Sequence, residues 1–269
     1  MADGGTPHAT HTFEETLSAA PDGDPLLAVC RQYPTLRDVI TTTHDAGVDT
    51  GPDLRVVAPK SVLHELKREF GTAWLAGDLV DTGRLSFHET TAELPTSVFA
   101  TDTRVDNPIP LGDRVASTTA ADETLANEVH TTYWEDLDTT DYALPFAGRE
   151  RLLETFATEC DETVAEAFAT GVEANGERGS PLTVGAVVIL AGAHGEVLHY
   201  DVGHWAEYQG VRSKASLSRI KQDLEDADLV TTSKVQRDVG RPRQRLHRGE
   251  AVADADMTTL VERAVDALD

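Results

Sequence analysis

Between Arg212 and Arg248 the chain reverses the charge it carries everywhere else, and no other feature constrains it as much. The stretch holds ten of the 23 Lys and Arg residues but only five of the 47 Asp and Glu, a net charge of +5. The remaining 232 of the 269 residues carry −29. A chain that excludes cations almost everywhere has gathered them where an anion binds. The same residues read as a helix followed by a two-stranded hairpin, so the expected anion is double-stranded DNA.

Three helices and a hairpin can be placed in order around this stretch. Ser180-Pro181 is a helix start, with Ser as N-cap and Pro at the first helical position, and the helix runs to about Ala193. A second helix is expected after Asp201 as N-cap, burying Val202, Trp205 and Ala206. Gly210 breaks it and Val211 fills the turn. A third helix begins after Ser213 and aligns Leu217, Ile220, Leu224 and Ala227 on one face. Leu229 to Val235, a turn at Asp238-Val239-Gly240, and Arg243 to His247 then form an antiparallel wing. The Ala206…Gly210 spacing is that of a helix-turn-helix. The next apolar positions fall one residue later than in the tight form, which points to the longer turn of winged helices.

A helix in the major groove reads bases with its outward side chains. Opposite the Leu217/Ile220/Leu224 stripe the pattern places Lys214, Ser218, Lys221 and Gln222, flanked by Ser216 and Arg219. Arg219 suits bidentate contact to guanine, and Ser216, Ser218 and Gln222 suit bases or phosphates. Lys234, Arg237, Arg241, Arg243 and Arg245 place the wing's cations against the backbone or the minor groove. Gly240-Arg241-Pro242-Arg243 resembles the core of an AT-hook. The competing view, a solvated charged helix, does not explain why the balance turns positive only on this pattern. A winged helix that binds protein remains the alternative.

The rest of the chain reads as follows. Met1 to about Asp24 is polar and rich in Gly, Thr and Pro, which predicts a disordered tail over residues 1–24. Residues 25–145 predict a small α/β domain for effector binding or dimerisation. Within it Pro25 to Gly47 reads as helical with an interruption at Pro34, and Leu54 to Ala58 as a buried strand. Val62 to Leu79 reads as helical with breaks at Gly71 and Gly77. Further strands are expected at Leu85–His88, Ser97–Ala100 and Arg114–Ser117, and a helix from Asp122 to Leu137. The Leu153/Phe156/Cys160/Val164/Phe168/Val172 stripe predicts one long bridging helix within residues 146–179. The winged helix occupies 180–250, and Met257 to Leu268, within 251–269, closes the chain as an amphipathic helix. Both stripes, the bridging one and Met257/Leu260/Val261/Ala264/Leu268, are candidate homodimer interfaces.

Acidity with only five lysines fits a protein of molar salt, where short hydrated carboxylates are favoured. No apolar run approaches the roughly 20 residues that span a bilayer, and Met1 to Pro21 lacks the apolar core of a secretory signal. Cys30 and Cys160 lie far apart and form no CxxC, which fits a reducing cytoplasm.

The segments Ser213-Lys214-Ala215-Ser216-Leu217-Ser218-Arg219-Ile220-Lys221 and Asp238 to Leu246 resemble those of a haloarchaeal TbsP-like winged-helix regulator family. That resemblance implies control of transcription, in that family of central carbon metabolism genes. Arg55-Val56-Val57-Ala58 and Phe70 to Val80 are similar to TrmB-like sensor domains, which implies a phospholipase-D-like N-terminal fold and a small-metabolite effector. That fold raises the question of phosphodiesterase chemistry, which needs a His with a Lys two residues on. His64-Glu65-Leu66-Lys67 has the wrong spacing, and no Walker A, GxGxxG or GxSxG motif occurs. No catalytic residue or cofactor is therefore expected. His194, His199 and His204 recur every five residues, but they straddle a loop with no Cys nearby and read as packing histidines rather than metal ligands. His8 and His11 lie in the tail and carry nothing.

Overall fold

The computed structural model describes residues 9–111, 114–176, 182–236 and 242–268. They divide into two compact units, Met1–Leu144 and Pro145–Asp269.

The first unit is built on a mixed sheet. Its centre is three parallel strands, β1 (Pro25–Val29), β2 (Asp53–Pro59) and β3 (Leu85–Thr90), and β7 (Thr139–Tyr142) runs antiparallel to β3 at one edge. On the other side β4 (Val98–Ala100), β5 (Val105–Leu111) and β6 (Arg114–Ala120) continue as antiparallel strands. Pro25 to Val29 is a strand and not the start of a helix. A short apolar run buried on both faces is what a central parallel strand requires. The helix α2 (Tyr33–Ala46) follows it, and Pro34 lies in its first turn, where a missing N–H costs nothing. Between α3 (Lys60–Arg68) and α4 (Phe70–Asp81) the break falls at Glu69, while Gly71 and Gly77 are inside α4.

Each sheet face has its own cover. Leu27, Val29, Val57, Val98, Ala100 and Val105 pack with Leu94 and Ala126, and Val129, Tyr133, Trp134 and Leu137 close over them. Ala126 belongs to α5 (Glu123–His130), capped by Asp122, which continues as a π turn at Thr131–Glu135. The register sets Val57 beside His88 and Arg55 beside Ser86. Arg55 accordingly lies 4.7 Å from the Trp134 ring centre and His88 meets the same ring edge-on at 4.6 Å.

The opposite face carries α1 (Ala9–Ala19), a helix within the expected 1–24 tail, of which residues 1–8 lie outside the described residues. Phe13 is fully buried against Phe99, with ring centres 4.9 Å apart, and Leu17 is buried too. Thr16 Oγ1 donates to the buried Asp106 Oδ2 at 2.7 Å, and Arg104 forms an ion pair with the same carboxylate. Two apolar side chains and one buried hydrogen bond hold a segment whose composition alone reads as disordered.

In the second unit the expected long bridging helix is two helices, α6 (Arg149–Glu159) and α7 (Glu162–Gly176), interrupted at Cys160. Phe156 stacks on Trp205 at 3.7 Å with planes 4° apart, and Phe168 meets both rings edge-on. These helices are core of the second unit, and their apolar stripe is spent inside it. The closing helix α11 (Met257–Leu268) also packs inward, with Met257, Leu260, Val261 and Ala264 buried and Met257 against α7 at Gly171. Most of both stripes is thus buried within the unit, while Leu268 is exposed and Leu153 and Cys160 are half-buried.

Candidate nucleic-acid interface

Three helices and a hairpin form the candidate site: α8 (Val184–His194), α9 (His199–Tyr208), α10 (Lys214–Asp226), and the strands β8 (Val230–Val235) and β9 (Arg243–Arg248). The helix start at Ser180-Pro181 lies outside the described residues; the described helix begins at Val184 with Thr183 as N-cap. Asp201 sits in the first turn of α9, and Leu198 is its N-cap. An acid one turn inside the helix favours its positive end, which explains why Asp201 looks like a cap in the sequence.

The turn between α9 and α10 is closed by backbone hydrogen bonds from Val211 and Arg212 to the Ala206 carbonyl, at 2.9 and 3.1 Å. Gly210 has φ +72°, and a Cβ there would lie 2.3 Å from the Pro145 carbonyl oxygen, so only glycine fits. Val211 is buried beneath the turn, and Ser213 Oγ caps α10 by accepting from the Ser216 N–H. Gly185 lets α8 approach Leu217 and Ile220 of α10 closely.

The wing is anchored at its root. Leu246 is fully buried, Leu246 N–H donates to the Val197 carbonyl at 2.9 Å, and Leu198 bridges antiparallel to Arg245. This bridge adds a one-residue third strand between α8 and α9, a feature with no sequence signal of its own.

With α10 held this way, Ala215, Ser218, Arg219, Gln222, Asp223 and Asp226 face solvent. The exposed acids Asp223 and Asp226 fall at the C-terminal half, so the N-terminal half, where the helix dipole is positive, is the end suited to an anion. Arg219, Ser218 and Gln222 have no ion pair or hydrogen-bond partner through their side chains among the described residues. Ser216 is half-buried, and its N–H is committed to the cap. Arg212, exposed just before the cap, was not singled out from the sequence. Its place at the head of the basic stretch was the available signal.

Several of the expected contact residues are engaged elsewhere. Lys221 is buried at 8 % exposure, its Nζ 2.7 Å from Glu225 Oε2, while Glu225 Oε1 accepts from Thr232 of β8 at 2.9 Å. Lying four residues after Leu217 and three before Leu224, it belongs to the inward stripe, and it ties α10 to the wing root. Lys214 Nζ pairs with Glu207 Oε2 at 2.8 Å, both half-exposed, and this hydrogen bond holds the Glu207 carboxyl below its ordinary value. The Arg243 guanidinium lies 3.6 Å over the Tyr200 ring centre and 3.1 Å from Asp201 Oδ1. Arg245 Nη1 donates to the Glu196 carbonyl at 2.7 Å. Lys234 is exposed, while Arg237 and Arg241 lie outside the described residues.

Beneath the interface, burial and then the Lys221 charge push the His199 imidazole below its ordinary value. His194 and His199 each have a buried ring nitrogen without a hydrogen-bond partner, and His204 faces Glu159 at 3.3 Å. No metal-ligating group of three forms among the described residues.

The order of helix, one-residue strand, helix, turn, helix and hairpin defines a winged helix-turn-helix unit. The chain belongs to the TbsP-like transcriptional regulator family: residues 6–144 match its N-terminal domain and residues 148–265 its C-terminal HTH domain. Family membership implies a regulatory rather than enzymatic role. Among solved structures the chain is similar to TrmBL2, an archaeal chromatin protein whose structure shows a novel mode of DNA binding. Identity is 16 %, over 51 % of this chain and 52 % of that one, with a TM-score of 0.35, so the chain spans about half of that protein. No curated protein matches the chain.

Proposed function

We propose that the protein regulates transcription by binding double-stranded DNA as a homodimer, with the N-terminal half of α10 in the major groove. The observation that carries this reading is the outward set Ser218, Arg219 and Gln222, without side-chain partners among the described residues of a strongly acidic chain. Two recognition helices on half-sites about one helical turn apart would give the dimer its site size. The first unit then serves as an effector domain of the phospholipase-D-like sensor kind, open to a small metabolite. The resemblance and the lysine-poor composition support a haloarchaeal cytoplasm and central carbon metabolism genes as targets.

The test is Arg219→Ala. A bidentate contact to guanine contributes about 1–3 kcal/mol of discrimination, so the variant should lose that preference at one base position while unfolding like wild type. Equal affinity for every duplex in both proteins would remove α10 as the reader. Exposed Tyr200 and Tyr208 on α9 favour a protein partner as the second reading. That reading predicts no DNA retention even at low salt, whereas a DNA complex weakens steeply as salt rises.

A further inference from the structure

We infer that two copies join through the outer edge of β6, making one continuous sheet across the dimer. The inference rests on the homodimer reading and assigns it a surface, since most of both apolar stripes expected to serve packs within the second unit.

The argument starts from two prolines in β5. The register pairs Pro108 with Ser117 and Pro110 with Val115. A proline has no N–H to give, so these are the non-hydrogen-bonded pairs of the antiparallel ladder. Bonding alternates along such a ladder. The backbone N–H and C=O groups of Val115, Ser117 and Thr119 therefore point away from β5, and among the described residues no strand meets them.

Other edges of this sheet are blocked. β5 runs past the end of β4, which pairs only with Val105 and Asp106, and the outward positions beyond are Pro108 and Pro110. At the far edge β7 carries Asp141, whose side chain is 97 % exposed. Proline and exposed charge are the usual guards against strand addition. After Arg114 at its start β6 has neither: residues 115–121 are Val-Ala-Ser-Thr-Thr-Ala-Ala, and residues 116–119 are exposed.

Electrostatics decide which partner fits. On a chain of net charge −24, two copies repel at most surfaces, and this uncharged strip lets them approach. An antiparallel strand is self-complementary about a two-fold axis, so a second copy needs no new sequence. An axis through Ser117 sets position 114, an arginine, opposite Ala120 of the other copy, beside its Asp122 end.

The experiment measures mass of the full chain by light scattering in molar KCl without DNA. Wild type is expected at twice the mass of the chain. Ser117→Pro removes one outward N–H at a position that gives none to β5, and should halve the mass. Ser117→Lys sets like charges opposite each other across the axis and should do the same, as should Ser117→Glu. Mixing the Lys and Glu variants should restore the doubled mass. A wild-type monomer at tens of micromolar, or dimers that persist in both the Pro and Lys variants, would overturn the inference. Because no DNA is present, these outcomes stand apart from the DNA-binding test. A DNA-binding monomer sinks only the interface, and a β6-dependent dimer that ignores DNA sinks only the proposed function.

Discussion

On the outer face of α10 Arg219 projects into solvent with no partner among the described residues, while at the turn end of β9 Arg243 is sandwiched between Tyr200 and Asp201. Lys221 and Arg245 are occupied in the same way, on Glu225 and on the Glu196 carbonyl. One basic stretch thus divides into cations without a partner among the described residues and cations already used to dock the wing onto the helices. The difference shows that net charge locates an interface only coarsely. Which arginine can contact an anion depends on whether the fold has supplied it a carboxylate or a carbonyl first.

The division can be broken most strongly at Leu246, the fully buried side chain that pins β9 to α8 beside Gly192. Leu246→Ala should cost about 2–5 kcal/mol in chemical unfolding, because the lost contact leaves a cavity at the wing root. Cations at both ends of the stretch should then lose their placement together. If stability falls by less than about 0.5 kcal/mol, the range of a surface change, the wing is not docked as described.

A smaller effect separates the two kinds of arginine. Arg243→Ala removes a ring-stacked guanidinium and a partly exposed ion pair, which should cost about 1 kcal/mol of stability. Its effect on DNA affinity should be no larger than that of Lys234→Ala. Lys234 is exposed, and its loss should leave stability unchanged while flattening the salt dependence by about one unit. A reversal of the two phenotypes would show that Arg243 leaves Tyr200 to meet DNA.

Much of this arrangement was legible in the sequence, and the exceptions have local causes. Ser213 as cap, Gly210 at the turn and Val211 beneath it each have one structural use, so their spacing locates α10 directly. Lys221 was misplaced because Leu217, Ile220 and Leu224 define a stripe only to within one residue of arc. The true centre lies nearer Leu217 and Leu224, with Ile220 half-buried and Lys221 inside. In the first unit β5 escaped notice because prolines argue against strands, and they are tolerated here only at the positions facing away from β6. The helix α1 was missed because Phe13 and Leu17 make a sparse pattern, and its buried Thr16–Asp106 bond spans 90 residues. The Leu198 bridge is a single residue and leaves no periodicity at all.

The subtlest test of the same division uses protons. Burial, and after it the Lys221 ammonium, hold the His199 pKa below the ordinary 6.5, with Glu225 opposing. A base whose folded pKa is lowered binds fewer protons folded than unfolded, so stability should decline as pH falls through 6.5 toward the folded value. His194 shifts in the same direction, through burial and Arg248, so the unfolding profile alone does not isolate His199. The ring resonances of His199 do. Their NMR titration midpoint should lie below 6.5 in wild type and move upward in Lys221→Met, which removes the charge and retains an apolar stem in the same space. Glu225 also loses its ammonium partner in that variant, keeping only Thr232, and reinforces the upward shift. An unchanged midpoint would mean that Lys221 does not face His199 and is free to turn outward. The inner and outer cations of the stretch would then differ less than their geometry indicates.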